Sequence, residues 1–147
     1  MTLNDLTVNF SHLDRNALLS EWEWLLGGEY LPILVSASGD AFVQNVSNNQ
    51  VWWLDTGGGE FTKVAESPEE FSRLLSTKDF VVEHFAVQMV GDLIQSGKTL
   101  SCGQIYSLSK PWLLGGLYEL SNIVPTDIEV HFSISGQIAQ QVGCDKS

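Results

Sequence analysis

The sequence predicts a single α+β domain, an antiparallel β-meander sheet packed against several helices. Three observations predict it. A helical pattern with a clear stop fills residues 11–26. Short apolar runs punctuated by Asn-Asn and Gly-Gly-Gly fill residues 40–65. Helix starts and helical apolar stripes dominate from Ser67 onward. Strands grouped together, instead of alternating with helices, argue against a parallel βαβ arrangement. With 147 residues, one domain over 1–147 is expected, large enough to bury about two-thirds of the surface its unfolded form exposes.

In the first helix Ser11 is the candidate N-cap, with Asp14 at the third helical position. Leu18, Trp22, Leu25 and Leu26 recur at helical spacing and Gly27 fits the stop. Pro32 opens an extended region, and "DAFVQNVSNNQVWWLDTGGGEFTKVA" reads as three strands. Asn48-Asn49 suits a tight turn because Asn tolerates positive φ, and Gly57-Gly58-Gly59 makes the next turn. In "SPEEF", Ser67 caps a short helix to about Leu75, Pro68 takes its first position and Glu70 closes a capping box. A longer helix is expected over 78–95. Val81, Phe85, Met89 and Leu93 form one i, i+4 row beside Val82, Ala86 and Val90, and Gly97 ends it. Residues 99–108 alternate weakly, as a strand. "PTDIEVHFSISGQIAQQV" reads as a helix to about Val142, with Thr126 as cap, Glu129 at its third position and Gly136 as a weak point.

Hydrophobic residues make up 44% and charged residues 17%, the balance of a folded chain. No apolar run approaches the ~20 residues of a membrane span, so no membrane partner is expected. The opening MTLNDLTVNF lacks the basic and apolar regions of a secretory signal. Two separate thiols, Cys102 and Cys144, fit a reducing cytoplasm. Seven basic residues oppose 18 acidic ones, for a net charge of −11, and residues 1–60 hold eight acids against the single base Arg15. A chain this acidic is not expected to bind nucleic acid, whose phosphates call for Lys and Arg. Its acidity serves solubility or complements a basic partner protein.

Catalytic and metal-binding patterns are missing. His12, His84 and His131 form no HExxH or comparable spacing, and a lone helical histidine is usually structural or solvated. Glu83 and His84 are adjacent on a helix and point about 100° apart. There is no GxSxG elbow and no phosphate-binding GxxxxGK[ST] loop. No catalytic residue, metal site or cofactor is assigned, and a non-enzyme is expected. The five tryptophans are more informative. Trp52 and Trp53 face opposite sides of a strand, so either a helix covers each face or one ring is exposed as a binding anchor.

Two stretches in order resemble a known family. The first, "LPILVSASGDAFVQNVSNNQVWWLDTGGGEFTKVAESPEEF", holds Gly-Asp, a meander ending in Asp, then Ser-Pro-x-x-Phe. The second, "PWLLGGLYELSNIVPTDIEVHFSISGQIAQQV", holds Gly-Gly-x-Tyr, an Asn and Gly-Gln-Ile. Together, over about residues 20–142, they resemble the C-terminal domain of type VI secretion DNase-immunity proteins, which often follows a GAD-like domain. The likeness to the wider Smi1/Knr4–Syd immunity superfamily is looser. The chain departs from the pattern in leaving little room for the GAD-like region. The resemblance implies an α+β fold and a non-catalytic task in the cytoplasm: binding a protein toxin, often a nuclease with a basic cleft, and blocking it.

Candidate partner contacts for a basic toxin are Glu21, Glu23, Glu29, Asp40, Asp55 and Glu60, with Trp53 (or Trp52) as anchor. A second hypothesis is a small-molecule-sensing domain with a pocket near Trp112, Gly115, Gly116 and Tyr118. The paired glycines suit a backbone of positive φ or close approach, with Trp112 and Tyr118 packing across the turn. A third, a hydrolase, requires His131 or His84 beside Cys102 or a carboxylate cluster.

Overall fold

The structure is a computed structural model that describes residues 2–146, with side chains described to Gly143. A five-stranded antiparallel sheet runs in the order β1 (Thr7–Val8), β2 (Tyr30–Ser36), β3 (Ala41–Asn45), β4 (Val51–Asp55), β5 (Glu60–Ala65). A short helix, α1 (Leu3–Leu6), precedes β1. Between β1 and β2 the chain forms α2 (Arg15–Leu18), a 3-10 turn over Ser20–Trp22, and α3 (Glu23–Leu26). Beyond the sheet come α4 (Pro68–Leu74), α5 (Lys78–Phe85) and α6 (Val87–Gln95). A two-stranded antiparallel ribbon, β6 (Gln104–Leu108) with β7 (Ile123–Asp127), precedes α7 (Ile128–Lys146). The α+β class read from the sequence is the class observed.

The turn chemistry explains the meander. Asn49 takes φ 63 between β3 and β4, and the side chain of Asn45 accepts from the amides of Ser47 and Asn48. Alternation along β4 sends Val51 and Trp53 to one face of the sheet and Trp52 and Leu54 to the other. Both faces are covered. On one, Phe42 packs against Phe71, Phe80 and Phe85 of α4 and α5, with ring centroids 4.9, 5.9 and 5.4 Å away. On the other, Val35, Ala41 and Val43 meet Leu18 and Trp22 together with Ile128 and Phe132 of α7. Truncating a ring in such a site costs about 3–5 kcal/mol. Covering both faces leaves neither Trp52 nor Trp53 exposed. Trp52 is half-buried against Tyr30 and Phe61, and Trp53 against His84.

Several boundaries differ from the sequence reading. The N-cap of the first helix is Asp14, whose Oδ1 accepts from the amides of Asn16 and Ala17, and not Ser11. The expected 11–26 helix is three short pieces, ending at Gly27 as expected with φ 69. The expected 78–95 helix breaks at Ala86, which takes φ 49, and Val82 of its apolar stripe is 54% exposed. Pro125 and Thr126 lie in β7, so Thr126 is no cap and α7 starts at Ile128. Gly136 is not a weak point. It lets the helix backbone approach that of Glu21, where a Cβ would lie 2.6 Å from the carbonyl oxygen. Nearby, Trp22 Nε1 donates to the Phe132 carbonyl at 2.9 Å, tying the first helical segment to α7 in the core.

Candidate functional site

A cavity of about 420 Å³ lies where the two sheets and α7 converge. Its walls come from segments far apart in the chain: Asp40 before β3, Trp53 and Asp55 of β4, His84 and Met89 of α5 and α6, Tyr106–Leu108 of β6, and the loop carrying Trp112 and Tyr118. Along α7, Val130, His131, Ile134, Ser135 and Ile138 face it at helical spacing.

One wall is built on His131. Its Nε2 lies 2.8 Å from the Gly39 carbonyl, which only accepts, so Nε2 carries the proton of the neutral ring. Nδ1 is therefore the acceptor for the Ser107 hydroxyl, at 3.0 Å. Thr56 sits 3.0 Å from Nε2 and is itself 2.7 Å from the Gly39 carbonyl. Burial pushes His131 down to about 4, against the opposing pull of the Gly39 carbonyl, so the ring is neutral at physiological pH. The imidazole thus joins α7 to the β2–β3 turn, the β4–β5 turn and β6. The sequence reading took a lone helical histidine as structural or solvated but could not name the partners, since apart from Ser135 they lie 24 to 92 positions away.

The carboxyl end lies beside it. Asp40 Oδ1 accepts from both the amide and the hydroxyl of Thr56, at 3.0 and 3.1 Å. Burial first, and the negative charge of Asp55 second, push Asp40 up to about 8, although both Thr56 bonds pull the other way. Near neutral pH it is therefore mostly protonated. Asp55 Oδ1 accepts from the Gly58 amide at 3.1 Å. Tyr118 is 54% exposed as a residue, but its hydroxyl reaches inward to the Gly57 turn, where any Cβ would collide with it. Burial of that hydroxyl, with Asp40 and Asp55 adding to it, pushes the phenol up to about 12.

The third wall is the loop over residues 109–122. Asn122 staples it: its Oδ1 accepts from the Lys110 amide, and its Nδ2 donates to the carbonyls of Lys110 and Leu117, each at 3.0 Å. Lys98 Nζ donates to the carbonyls of Leu120 and Ile123. Gly116 is buried in this fold, and a Cβ there would overlap the Lys110 carbonyl. Gly115 ends the 3-10 turn over Trp112–Leu114 with φ 92. The glycines thus shape the loop and do not border the cavity, whereas Trp112 and Tyr118 do, with ring centroids 5.5 Å apart.

The acidic candidates separate into two groups. Asp40 and Asp55 enter the cavity with Trp53, and Glu60 is paired with Asp55 in the β4–β5 register. Glu23 and Glu29 instead line a second pocket of about 380 Å³ beside Tyr30 and Leu31, and Glu21 carries the backbone contact with Gly136. The hydrolase arrangement is not assembled. Among the described residues no thiol or carboxylate bonds to His131 or His84, and Cys102 is exposed and unpaired. Among those residues no group of three or more His, Cys, Asp or Glu is placed to hold a metal. No described helix is long and apolar enough to cross a membrane.

The crystal structure of Atu4351 from Agrobacterium tumefaciens is similar over 85% of this chain, with a TM-score of 0.62 and 20% identity, a likeness of fold. The chain spans less than two-thirds of that protein's length, 65%. Among curated proteins nothing matches. The family described as T6SS immunity protein Tdi1, C-terminal, matches residues 65–139, from the end of β5 through most of α7. That stretch is just over half of the chain and includes the loop, β6, β7 and His131, and the chain belongs to this family of type VI secretion immunity proteins.

Proposed function

We propose that the protein is a non-catalytic immunity protein that binds and blocks a basic, nuclease-like toxin in the cytoplasm, with the cavity mouth at the centre of the contact. The observation that carries this reading is the joining of acid and apolar surface there. Asp40, Asp55 and Glu83 line the cavity, and Trp112, Tyr118, Val124, Val130 and Ile134 border it while 40–54% exposed. Exposed apolar groups gathered in one place mark contact surfaces. Glu60 extends the negative charge, and Glu21, Glu23 and Glu29 add to the long-range field that steers a cationic partner. Trp53, half-buried against His84, supports the site from within.

Co-expression with a basic, nuclease-like toxin tests this. Growth should be restored by the wild type, and the complex should weaken steeply with salt, since surface charges are screened within about 10 Å at 0.1 M. A complex equally tight at low salt and at about 0.5 M would remove the electrostatic part of the proposal. A second reading, a small-molecule-sensing domain, is favoured by the cavity itself, whose volume of about 420 Å³ falls in the range of ligand sites. A metabolite that raises Tm while toxin protection is absent would select it.

A further inference from the structure

The carboxyl groups in this cavity have no cation supplied by the chain. No lysine or arginine is among its lining residues, and the one ion pair among the described side chains, Lys63 with Glu66, is elsewhere on the surface. Lys110, the nearest basic residue of the loop, holds its ammonium about 3.8 Å from where a Cβ on Gly115 would be, over the glycine turn. A carboxyl group buried without a counter-ion is held in its neutral form, and a cation entering the space favours the ionised one. At the mouth the rings of Trp112 and Tyr118 stand 5.5 Å apart, and such faces attract a cation, arginine most often.

We propose that the cavity receives a single arginine side chain from the partner toxin, its guanidinium between the carboxyl groups of Asp40 and Asp55 and its stem against Trp112 and Tyr118. This rests on the immunity reading and names the chemistry by which that site recognises its partner. Arginine fits better than lysine for two reasons. Its planar guanidinium carries five N–H donors that can serve two carboxyl groups at once, and its flat cation stacks on indole and phenol. The volume admits one long side chain, and the exposed Val124, Val130 and Ile134 provide the apolar rim that excludes water around such an anchor.

Binding is coupled to protons. The groups facing Asp40 across the cavity are Asp55, Glu83, His84, Tyr106, Tyr118 and His131. None is a permanent cation, so an entering guanidinium stabilises the ionised form of Asp40, which gives up its proton to solvent. Affinity therefore rises with pH through the range in which free Asp40 loses its proton.

The test uses N-acetyl-arginine amide as probe and N-acetyl-citrulline amide, its uncharged isostere, as control, followed by tryptophan fluorescence and amide NMR shifts. The arginine probe is expected to bind saturably, and the citrulline probe not at all. Asp55→Asn should weaken binding at least about tenfold, the loss expected for one charge-assisted hydrogen bond. Asp40→Asn resembles the protonated resting form and keeps the acceptor for Thr56, so it should fold normally and abolish the rise in affinity between about pH 6 and pH 9. Equal response to the two probes, or binding unchanged in the double variant Asp40→Asn with Asp55→Asn, overturns the inference. So does full toxin protection by the double variant, which leaves the immunity reading standing. A wild type that binds the arginine probe but gives no protection leaves the arginine chemistry standing and fails the immunity reading alone.

Discussion

The imidazole of His131 and the backbone of Gly39 are fitted to one another. Nε2–H donates to the Gly39 carbonyl at 2.8 Å, and a Cβ on Gly39, which takes φ 93, would lie 2.6 Å from the same nitrogen. The β2–β3 turn therefore requires glycine twice over, for its left-handed backbone and for room. Gly39→Ala is expected to lower stability by about 2–4 kcal/mol, combining backbone strain with displacement of a buried ring. Urea unfolding measures it, and a loss below ~1 kcal/mol would mean that the ring moves aside freely.

The same ring and its neighbour Asp40 give stability opposite dependences on pH. His131 is held near 4, below its ordinary 6.5, so its contribution is complete above pH 6.5 and is lost as pH falls through 4. Asp40 is held near 8, above its ordinary 3.8, so its contribution is complete below 3.8 and is lost as pH rises through 8. The two slopes cancel between about pH 4 and 6.5, so stability should be level there and decline from about pH 6.5 to 8, by roughly 2 kcal/mol. Asp40→Asn should flatten the alkaline limb and be more stable than wild type at pH 8, because no charge develops beside Asp55. An alkaline limb unchanged by that substitution would assign it to another group. Thermal unfolding from about pH 4 to 9 decides between them.

What was legible in the sequence was local chemistry. Ser67 does cap α4, accepting from the Glu70 amide at 3.1 Å with Pro68 at the first position. Gly27 and the Asn48-Asn49 turn fall where their residue types require. The break at Ala86 was not legible, because neither glycine nor proline marks it and the i, i+4 rows run through it uninterrupted. Tertiary packing sets that bend: Phe85 before it and Val90 after it are both fully buried. The site was legible in parts only. Trp112 and Tyr118 were found as aromatics beside a glycine pair, and Asp40 and Asp55 as acids. Nothing local joins them, since each belongs to a different turn or loop and they meet only when α7 closes over both sheets. His131 lay furthest from view, because every bond that gives it a role is long-range or depends on the register of α7.

The loop that carries the two cavity aromatics is predicted to depend on Asn122. Its three hydrogen bonds close residues 110–122 upon themselves, and Asn122→Ala removes them all. Each is worth about 0.5–1.5 kcal/mol, and the site is partly solvated, so a loss of about 1–3 kcal/mol is expected. The more telling readout is local. Amide exchange should rise in 110–122 while the β3 and β4 amides stay protected, and Trp112 emission should shift to the red. Uniform loss of protection would show that the loop is no separate unit.

Two glycines of α7 should respond in opposite directions to the same substitution. A Cβ on Gly136 would lie 2.6 Å from the Glu21 carbonyl oxygen and 2.9 Å from its carbonyl carbon, both backbone atoms that cannot rotate away. A Cβ on Gly143 meets nothing within 4 Å. Helix propensity alone favours alanine at both positions by about 0.5–1 kcal/mol. At Gly143 that gain should appear, less whatever fraying near the helix end removes. At Gly136 it should be overwhelmed by the separation of α7 from the 3-10 turn over Ser20–Trp22, leaving a net loss of about 1–3 kcal/mol and a weakened Trp22–Phe132 hydrogen bond. Parallel urea titrations of the two variants test the pair. Equal effects would mean that α7 sits loosely on the first helical segment, and the cavity, one wall of which is α7, would then lack the rigid shape that recognition of a single side chain requires.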